Sequence, residues 1–380
     1  MKVLTQFEKK SLLFQDPEFI ISCTDPAIFK SSFRDMELAL SRGYHLAGFL
    51  SYEAGYYFEE KLYQNEQYGF PLIYLGAYKN VLKDKIPAPA SDYRLENLRL
   101  NITQEQYSLN INAIRDYIAK GDVYQITYCL KLLFEFYGEP LSLYYRLLNE
   151  QPVPYPAYIQ TDKFAILSLS PELFIKKNFT HLVTKPMKGT WPRGKNLISD
   201  LIAPLCLKYD RKNRAENVMI ADLLRNDLGR LGREIKAPTL FEVARYKTLC
   251  QMTSTVMAKV KKDIPIYDLF SAIFPSGSVT GAPKIRAMEI INGLEKDQRG
   301  IYTGAIGYIT PDKDMFFNIP IRTLLIKVPG PAYSAGRQAE MGIGGGIVWD
   351  STPAGEWNEG LLKAKFLTDL ERGRPARGHP

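Results

Sequence analysis

Histidine and cysteine are scarce in this chain of 380 residues, which contains three histidines and four cysteines. So few histidines exclude a histidine-rich metal site and leave a Ser-His-Asp triad poorly supplied. The cysteines form no Cys-x-x-Cys pair, a usage typical of a reducing cytoplasm, so we expect neither disulfides nor a structural zinc site. Any metal should be held by carboxylate oxygens. The residues concerned are His45, His181, His379, Cys23, Cys129, Cys206 and Cys250.

Long apolar runs are absent as well. No stretch approaches the roughly 18 consecutive apolar residues that cross a bilayer. The first ten residues are charged and lack the apolar core of a secretion signal. We therefore expect a cytoplasmic protein with no membrane partner.

Basic residues outnumber acidic ones and give a formal net charge of +8. Part of this excess lies in residues 371–380, a tail that we expect to be disordered. No basic run is interleaved with aromatic side chains, the pattern that stacks on nucleic-acid bases. The charge therefore favours a basic soluble enzyme with no nucleic-acid partner. The alternative from another class is a non-catalytic nucleic-acid-binding protein.

The pattern of elements predicts a mixed α+β fold. A charged, proline-rich linker at 83–92 separates an N-terminal region (1–90) from a catalytic domain (91–370). Thr103, with Gln106 three residues later, predicts a capping box that begins a helix ending at Gly121. Further predicted helices cover 216–228, 283–294 and 356–370, and predicted strands include 164–169, 302–310 and 315–326. Because strands and helices alternate irregularly, a doubly wound parallel sheet is disfavoured.

Two glutamates on separate predicted helices, Glu216 and Glu359, are candidates for binding Mg²⁺, which prefers oxygen ligands. Glu356 lies three residues before Glu359 and so shares its helix face. The alternative is a surface ion pair, which Lys363 could form with Glu359.

Lys188 lies in a segment, residues 186–194, where prolines and glycines restrict the backbone and suit a loop that presents one side chain. A lysine becomes nucleophilic when burial or neighbouring cations lower its pKa, and Lys185 and Arg193 could be those cations. The alternative is a solvated turn lysine.

Two glycine-bearing segments, 276–284 and 342–346, could bring backbone N–H groups close to an anion, or could be tight turns. Arg322 lies inside a predicted apolar strand. A buried charge needs an anionic partner, which could be a substrate carboxylate or a structural Asp or Glu. Residue chemistry alone thus indicates an anion-binding enzyme that could depend on Mg²⁺.

Read in order, these segments resemble the chorismate-utilising enzymes over roughly residues 100–368. The resemblance implies two large antiparallel sheets sandwiched together with helices outside, as in anthranilate synthase component I, and chorismate bound with Mg²⁺ near the centre. The matching segments are 121–125, 170–172, 186–194, 214–217, 222–230, 251–255, 276–284, 302–308, 317–323 and 344–351.

The resemblance also implies a role for each matching residue. Lys188 would be the nucleophile, Glu172 the general acid, and Glu216 and Glu359 the Mg²⁺ ligands. The residues implied to bind the substrate are Ser278, Thr280, Gly281, Lys284, Tyr302, Arg322, Gly344, Gly345 and Lys363.

Two positions indicate a branch of the family. Gln125 stands where members that add water to chorismate have a lysine base, and an amide cannot serve as that base. Lys188 stands where anthranilate synthases typically have alanine and aminodeoxychorismate synthases have lysine. We therefore expect amination of chorismate to 4-amino-4-deoxychorismate, with anthranilate formation as the alternative within the family. A degenerate regulatory homologue is disfavoured because the implied site residues are complete.

The ammonia source implied by the resemblance is a separate glutamine amidotransferase subunit. No cysteine here lies in a Gly-x-Cys-x-Gly elbow, and 380 residues leave no room for a glutaminase or a lyase beside the synthase core. A further enzyme would then release p-aminobenzoate for folate synthesis. Two residues depart from the family pattern. Cys250 stands where many relatives have His or Trp, and Asn213 stands where the residue is often acidic.

Overall fold

A computed structural model describes residues 1–63, 68–84, 86–87, 92–194, 196–246, 249–327 and 336–371. Part of the predicted linker and all but the first residue of the predicted tail lie outside the described residues. The described strands are β1 (Lys2–Phe7), β2 (Lys10–Gln15), β3 (Phe19–Cys23), β4 (His45–Leu50), β5 (Ile73–Tyr78), β6 (Tyr93–Leu100), β7 (Gln125–Gly138), β8 (Tyr155–Gln160), β9 (Phe164–Ser170), β10 (Leu173–Asn178), β11 (His181–Lys185), β12 (Met187–Pro192), β13 (Gly232–Arg245), β14 (Leu249–Val260), β15 (Gly281–Ala282), β16 (Ala305–Ile309), β17 (Met315–Asn318), β18 (Thr323–Lys327) and β19 (Arg337–Ile347).

Eight α-helices accompany these strands in the described part of the chain. None of them is long and apolar enough to cross a membrane. They are α1 (Phe29–Ser41), α2 (Gln104–Ala119), α3 (Pro140–Glu150), α4 (Leu197–Tyr209), α5 (Arg211–Gly229), α6 (Ile266–Ile273), α7 (Lys284–Leu294) and α8 (Pro353–Glu371).

The strands form two antiparallel sheets, which confirms the predicted α+β sandwich. The nine-stranded sheet has the order β15-β7-β19-β18-β9-β8-β1-β2, with β6 also paired to β7. The ten-stranded sheet has the order β12-β14-β11-β10-β17-β16-β4-β5-β3, with β13 also paired to β14. The N-terminal region contributes β1 and β2 to the first sheet and β3, β4 and β5 to the second.

The alternation of side chains along β9 shows how each sheet is covered on both faces. Ile166 belongs to an apolar cluster that also contains Phe49 and Phe316 of the other sheet, so this face lies between the sheets. Its neighbour Leu167 belongs to a second cluster with Leu147 of α3, on the opposite face. Successive side chains of a strand point to opposite faces, and a strand covered on both therefore reads as a continuous apolar run.

Three local predictions need comment. The Thr103 hydroxyl accepts a hydrogen bond from the Gln106 N–H at 3.3 Å, as predicted, but the Gln106 amide donates to Asn110 and does not close the capping box. Pro283 is the residue before α7, not a residue of its first turn. The predicted strand 315–326 is broken into β17 and β18, and residues 319–322 between them reach the site described next.

Candidate active site

A cavity of about 360 Å³ collects most of the predicted site residues. Its size lies within the range of small-molecule sites. Its walls come from β12, α5, β19, α8, the loop before β15 and the break between β17 and β18. The predicted residues among its lining are Glu172, Lys188, Glu216, Ser278, Tyr302, Arg322, Gly344, Gly345, Glu359 and Lys363.

Lys188 is presented by a strand, not by the loop that we predicted. It is the second residue of β12, which pairs with β14 through a register shift. The Asn217 side chain of α5 donates to the Lys188 carbonyl at 3.1 Å and itself accepts a hydrogen bond from the Ser254 hydroxyl. These contacts fix the backbone that carries the lysine.

The Lys188 ammonium makes no hydrogen bond or salt bridge within the described residues. Burial is the main cause that lowers its pKa, Lys363 lowers it further, and Glu216 and Glu172 raise it. The predicted neighbour Arg193 is not among the main causes and forms a two-point ion pair with Asp200. A buried, unpaired amine with a lowered pKa is a candidate nucleophile.

Glu172 is a buried carboxyl group that lines the same cavity as this lysine. Its side chain is buried, and one oxygen accepts hydrogen bonds from the Ser278 hydroxyl at 2.6 Å and the Met187 N–H at 3.2 Å. Burial raises the pKa of Glu172 to about 7, against the lowering effect of these two bonds and of Lys188. A carboxyl group with a pKa near neutrality is suited to act as a general acid.

Three glutamates from α5 and α8, Glu216, Glu356 and Glu359, also line the cavity. Burial raises the pKa of Glu216 and of Glu356, and the negative charge of Glu359 raises both further. Glu356, which we did not include in the predicted metal set, accepts a hydrogen bond from the Ser351 hydroxyl at 2.6 Å. Glu356 lies three residues before Glu359 on the same helix face, and this spacing could have placed it in the predicted set of metal ligands.

Lys363 partly balances this charge. Its ammonium contacts Glu359 at 2.7 Å and donates to the Gly344 carbonyl at 2.7 Å. The predicted surface ion pair therefore forms, but at the cavity wall. Lys363 is the main cause that lowers the pKa of Glu359.

Residues 342–346 are not a tight turn, because they continue strand β19. A Cβ atom at Gly345 would lie 3.0 Å from a Glu356 oxygen, and one at Gly346 would lie 2.8 Å from the Lys188 nitrogen. Glycine at these positions lets the polar side chains and a ligand approach the backbone. The Gln125 amide also lies beside this face, and both its polar atoms are buried with no hydrogen-bond partner among the residues that the structure describes.

Arg322 lies in the break between β17 and β18, not inside a strand. Its backbone adopts a φ of 51°, and its guanidinium has no carboxylate partner among the described residues. Burial lowers its pKa, and the nearby Tyr246 raises it. The sequence left two anionic partners open for Arg322, a substrate carboxylate or a structural Asp or Glu. The described residues provide no such Asp or Glu.

Three predicted substrate-binding residues do not line the cavity. Lys284 is the clearest correction, because its ammonium contacts Asp227 at 2.6 Å and the Ile273 carbonyl at 3.3 Å. The Thr280 hydroxyl donates to the Ser276 carbonyl, and Gly281 pairs with Ile126 of β7. Thr280 and Gly281 directly follow the short segment that carries Ser278, which does line the cavity.

Comparison with known proteins agrees with this geometry. The family model described as chorismate binding enzyme matches residues 5–369. The chain is 38% identical over 264 residues to aminodeoxychorismate synthase component 1 of Bacillus subtilis (strain 168), covering 69% of this chain and 54% of that protein. It is 35% identical over 274 residues to anthranilate synthase component 1 of Aquifex aeolicus (strain VF5), covering 72% and 54%. The chain thus spans just over half the length of either relative.

The fold has a close counterpart among solved structures. Anthranilate synthase component I from Streptococcus pneumoniae TIGR4 superposes with a TM-score of 0.80 at 24% identity, covering 96% of this chain and 92% of that one. At this identity the likeness concerns the fold alone. Since the family model covers nearly the whole chain and the predicted site residues gather in one cavity, this protein belongs to the chorismate binding enzymes.

Proposed function

We propose that this chain converts chorismate and ammonia to 4-amino-4-deoxychorismate, the reaction of an aminodeoxychorismate synthase. The observation that carries the proposal is the unpaired Lys188 amine, which lies in the cavity beside a Glu172 carboxyl group of pKa about 7. These groups supply a nucleophile and a proton donor for exchanging one ring substituent. Relatives that bear this name support the same reading.

The reaction proceeds in two displacements. The neutral Lys188 amine forms a bond to C2 of the ring, both ring double bonds shift by one position, and the C4 hydroxyl takes the Glu172 proton and leaves as water. Ammonia then bonds to C4, both double bonds shift back, and the bond between Lys188 and C2 breaks with its electron pair returning to the lysine nitrogen. The new C4 ammonium returns a proton to the Glu172 carboxylate and leaves the 4-amino product. Splitting one difficult substitution into two easier steps is the usual gain of covalent catalysis.

The charges of the cavity suit a dianionic substrate. Arg322 has no carboxylate partner within the described residues and can bind one substrate carboxylate. Tyr302, Lys363 and the backbone of Gly344 and Gly345 line the space for the rest of the molecule. A guanidinium held without a protein partner gains most when an anion neutralises it, because burial otherwise disfavours its charge.

Glu216 and Glu359 would hold Mg²⁺. Their oxygens suit this hard cation. Burial and, to a smaller extent, the negative charge of Glu359 raise the pKa of Glu216, and a bound cation would offset both effects. No group of three or more His, Cys, Asp or Glu side chains that could hold a metal occurs in the described ranges, so substrate and water oxygens would complete the coordination. When bound, Mg²⁺ would neutralise and orient the ring carboxylate.

In the cell, this activity would require an ammonia source and a consumer of the product. We propose a glutamine amidotransferase subunit as the source, as the component 1 names of the relatives suggest. The product would feed a lyase that forms p-aminobenzoate for folate synthesis in the cytoplasm.

Anthranilate formation is the second candidate, because a relative of that name is 35% identical. Incubating the purified chain with chorismate, Mg²⁺ and ammonium separates the two activities. We expect no fluorescent product until an aminodeoxychorismate lyase is added, after which p-aminobenzoate appears. Direct release of fluorescent anthranilate would refute the proposal.

A further inference from the structure

Helix α4 is apolar on both its faces, yet the described residues cover only one of them. Ala203 and Leu207 pack into a small buried cluster with Cys250 and Met252. The opposite face consists of aliphatic and aromatic side chains open to solvent, which we call the α4 patch. Its members and their exposed fractions are Leu197 (86%), Ile198 (72%), Leu201 (64%), Ile202 (46%), Leu205 (53%) and Tyr209 (64%).

A helix that is apolar all round is normally buried all round, and contiguous exposed apolar surface marks an interaction site. Basic side chains surround this patch. Exposed Lys208, Arg211 and Lys212 continue from the end of α4, and the Arg245 guanidinium donates to the Leu201 carbonyl at 3.1 Å. Of the nearby acids, Asp200 is paired with Arg193, which leaves the partly exposed Asp210 and the exposed Glu242 against four cations.

The patch adjoins the opening of the substrate cavity. Lys212 lines the cavity and follows Tyr209 by three residues, which span at most about 11 Å between Cα atoms. The Arg193–Asp200 pair also joins the first turn of α4 to the segment that follows the Lys188 strand. A protein seated on the patch would therefore lie beside the entrance to the reacting groups.

We infer that the α4 patch is the docking surface for the glutaminase subunit that supplies ammonia, an inference that rests on the proposed function. Its occupant should present an apolar surface with an acidic rim, complementary to the basic rim here. A symmetric pair of this chain fits less well, because it would bring the two basic rims together. The position also fits the need to deliver ammonia into the cavity.

The test compares two leucines of nearly equal exposure. Leu201→Glu places a charge in the α4 patch, and Leu109→Glu makes the same change on α2, where Leu109 is 63% exposed. Each variant is assayed with chorismate and Mg²⁺, once with ammonium and once with glutamine plus the same organism's glutamine amidotransferase subunit, purified and recognised by its Gly-x-Cys-x-Gly elbow. We expect Leu201→Glu to lower the glutamine-dependent rate by about tenfold or more and to keep the ammonium-dependent rate, whereas Leu109→Glu keeps both.

The two assays separate this inference from the proposed function. No aminodeoxychorismate from the parent chain with ammonium would overturn the function itself. A glutamine-dependent rate that Leu201→Glu leaves unchanged, or a parent chain that uses ammonium but not the subunit, would overturn the docking surface alone. Two other results would also overturn the docking surface. In them, Leu201→Glu abolishes either a dimer of this chain or its binding to anionic vesicles, while glutamine-dependent synthesis persists.

Discussion

Replacing Glu172 by glutamine tests whether burial keeps this carboxyl group protonated. The Glu172 side chain is 3% exposed, and its pKa is raised from 4.5 to about 7. Glutamine retains an oxygen that can accept from Ser278 and Met187 but cannot ionise. The variant therefore removes the titration while keeping the hydrogen bonds that hold the side chain.

The direction of the effect follows from the linkage between pKa and stability. Because the folded state binds this proton more tightly than the unfolded state, the stabilisation is complete below about pH 4.5 and is lost as the pH rises through 7. At 1.36 kcal/mol for each pH unit, the loss amounts to about 3 kcal/mol. Glu172→Gln does not suffer it, so the variant should gain about 2.5 kcal/mol over the parent between pH 5 and pH 8.5, because part of the loss occurs below pH 5.

Urea unfolding of both proteins at these two pH values measures the gain directly. The same variant should lose about 10²-fold to 10⁴-fold in activity, because it cannot donate the proton to the leaving hydroxyl. A stability difference that does not change with pH would show that Glu172 is ionised in the folded protein. The general-acid assignment would then fail.

Two further substitutions probe the neighbours of the reacting groups. Ser278→Ala removes a hydrogen bond that lowers the pKa of Glu172, so the alkaline limb of the kcat profile should move up by about one pH unit, and an unmoved limb would contradict the coupling. Arg322→Gln should raise the KM for chorismate about tenfold to a hundredfold with a smaller change in kcat, as measured by steady-state kinetics, because it removes a cation that has no protein partner. An unchanged KM would exclude Arg322 from substrate binding.

The sequence predicted helices and strands well where interactions between neighbouring residues determine them. The Thr103 cap and the start of α2 follow from hydrogen bonds within one turn, and continuous apolar runs such as β9 follow from burial on both faces. The break at residues 319–322 contains Pro320, which cannot donate a ladder hydrogen bond, so a local signal for the break was present and the prediction did not use it. That Arg322 would line the cavity could not be read locally, because the other walls come from distant elements.

Motif order predicted that certain residues would share one site, and the structure places Lys188, Glu172 and Glu216 at one cavity. Their roles as nucleophile, general acid and metal ligand stay predictions. Charge partners depend on distant elements, and here the predictions went wrong. Lys284 pairs with Asp227, 57 residues earlier in the chain, and Arg193 pairs with Asp200 instead of acting on Lys188.

The central claim is that Lys188 is the nucleophile that permits amination at C4. Mass spectrometry of the products from chorismate, Mg²⁺ and ammonium tests it most directly when the parent chain is compared with Lys188→Ala. We predict 4-amino-4-deoxychorismate from the parent and none from the variant. Full activity in Lys188→Ala, or anthranilate as the parent's direct product, would contradict the claim.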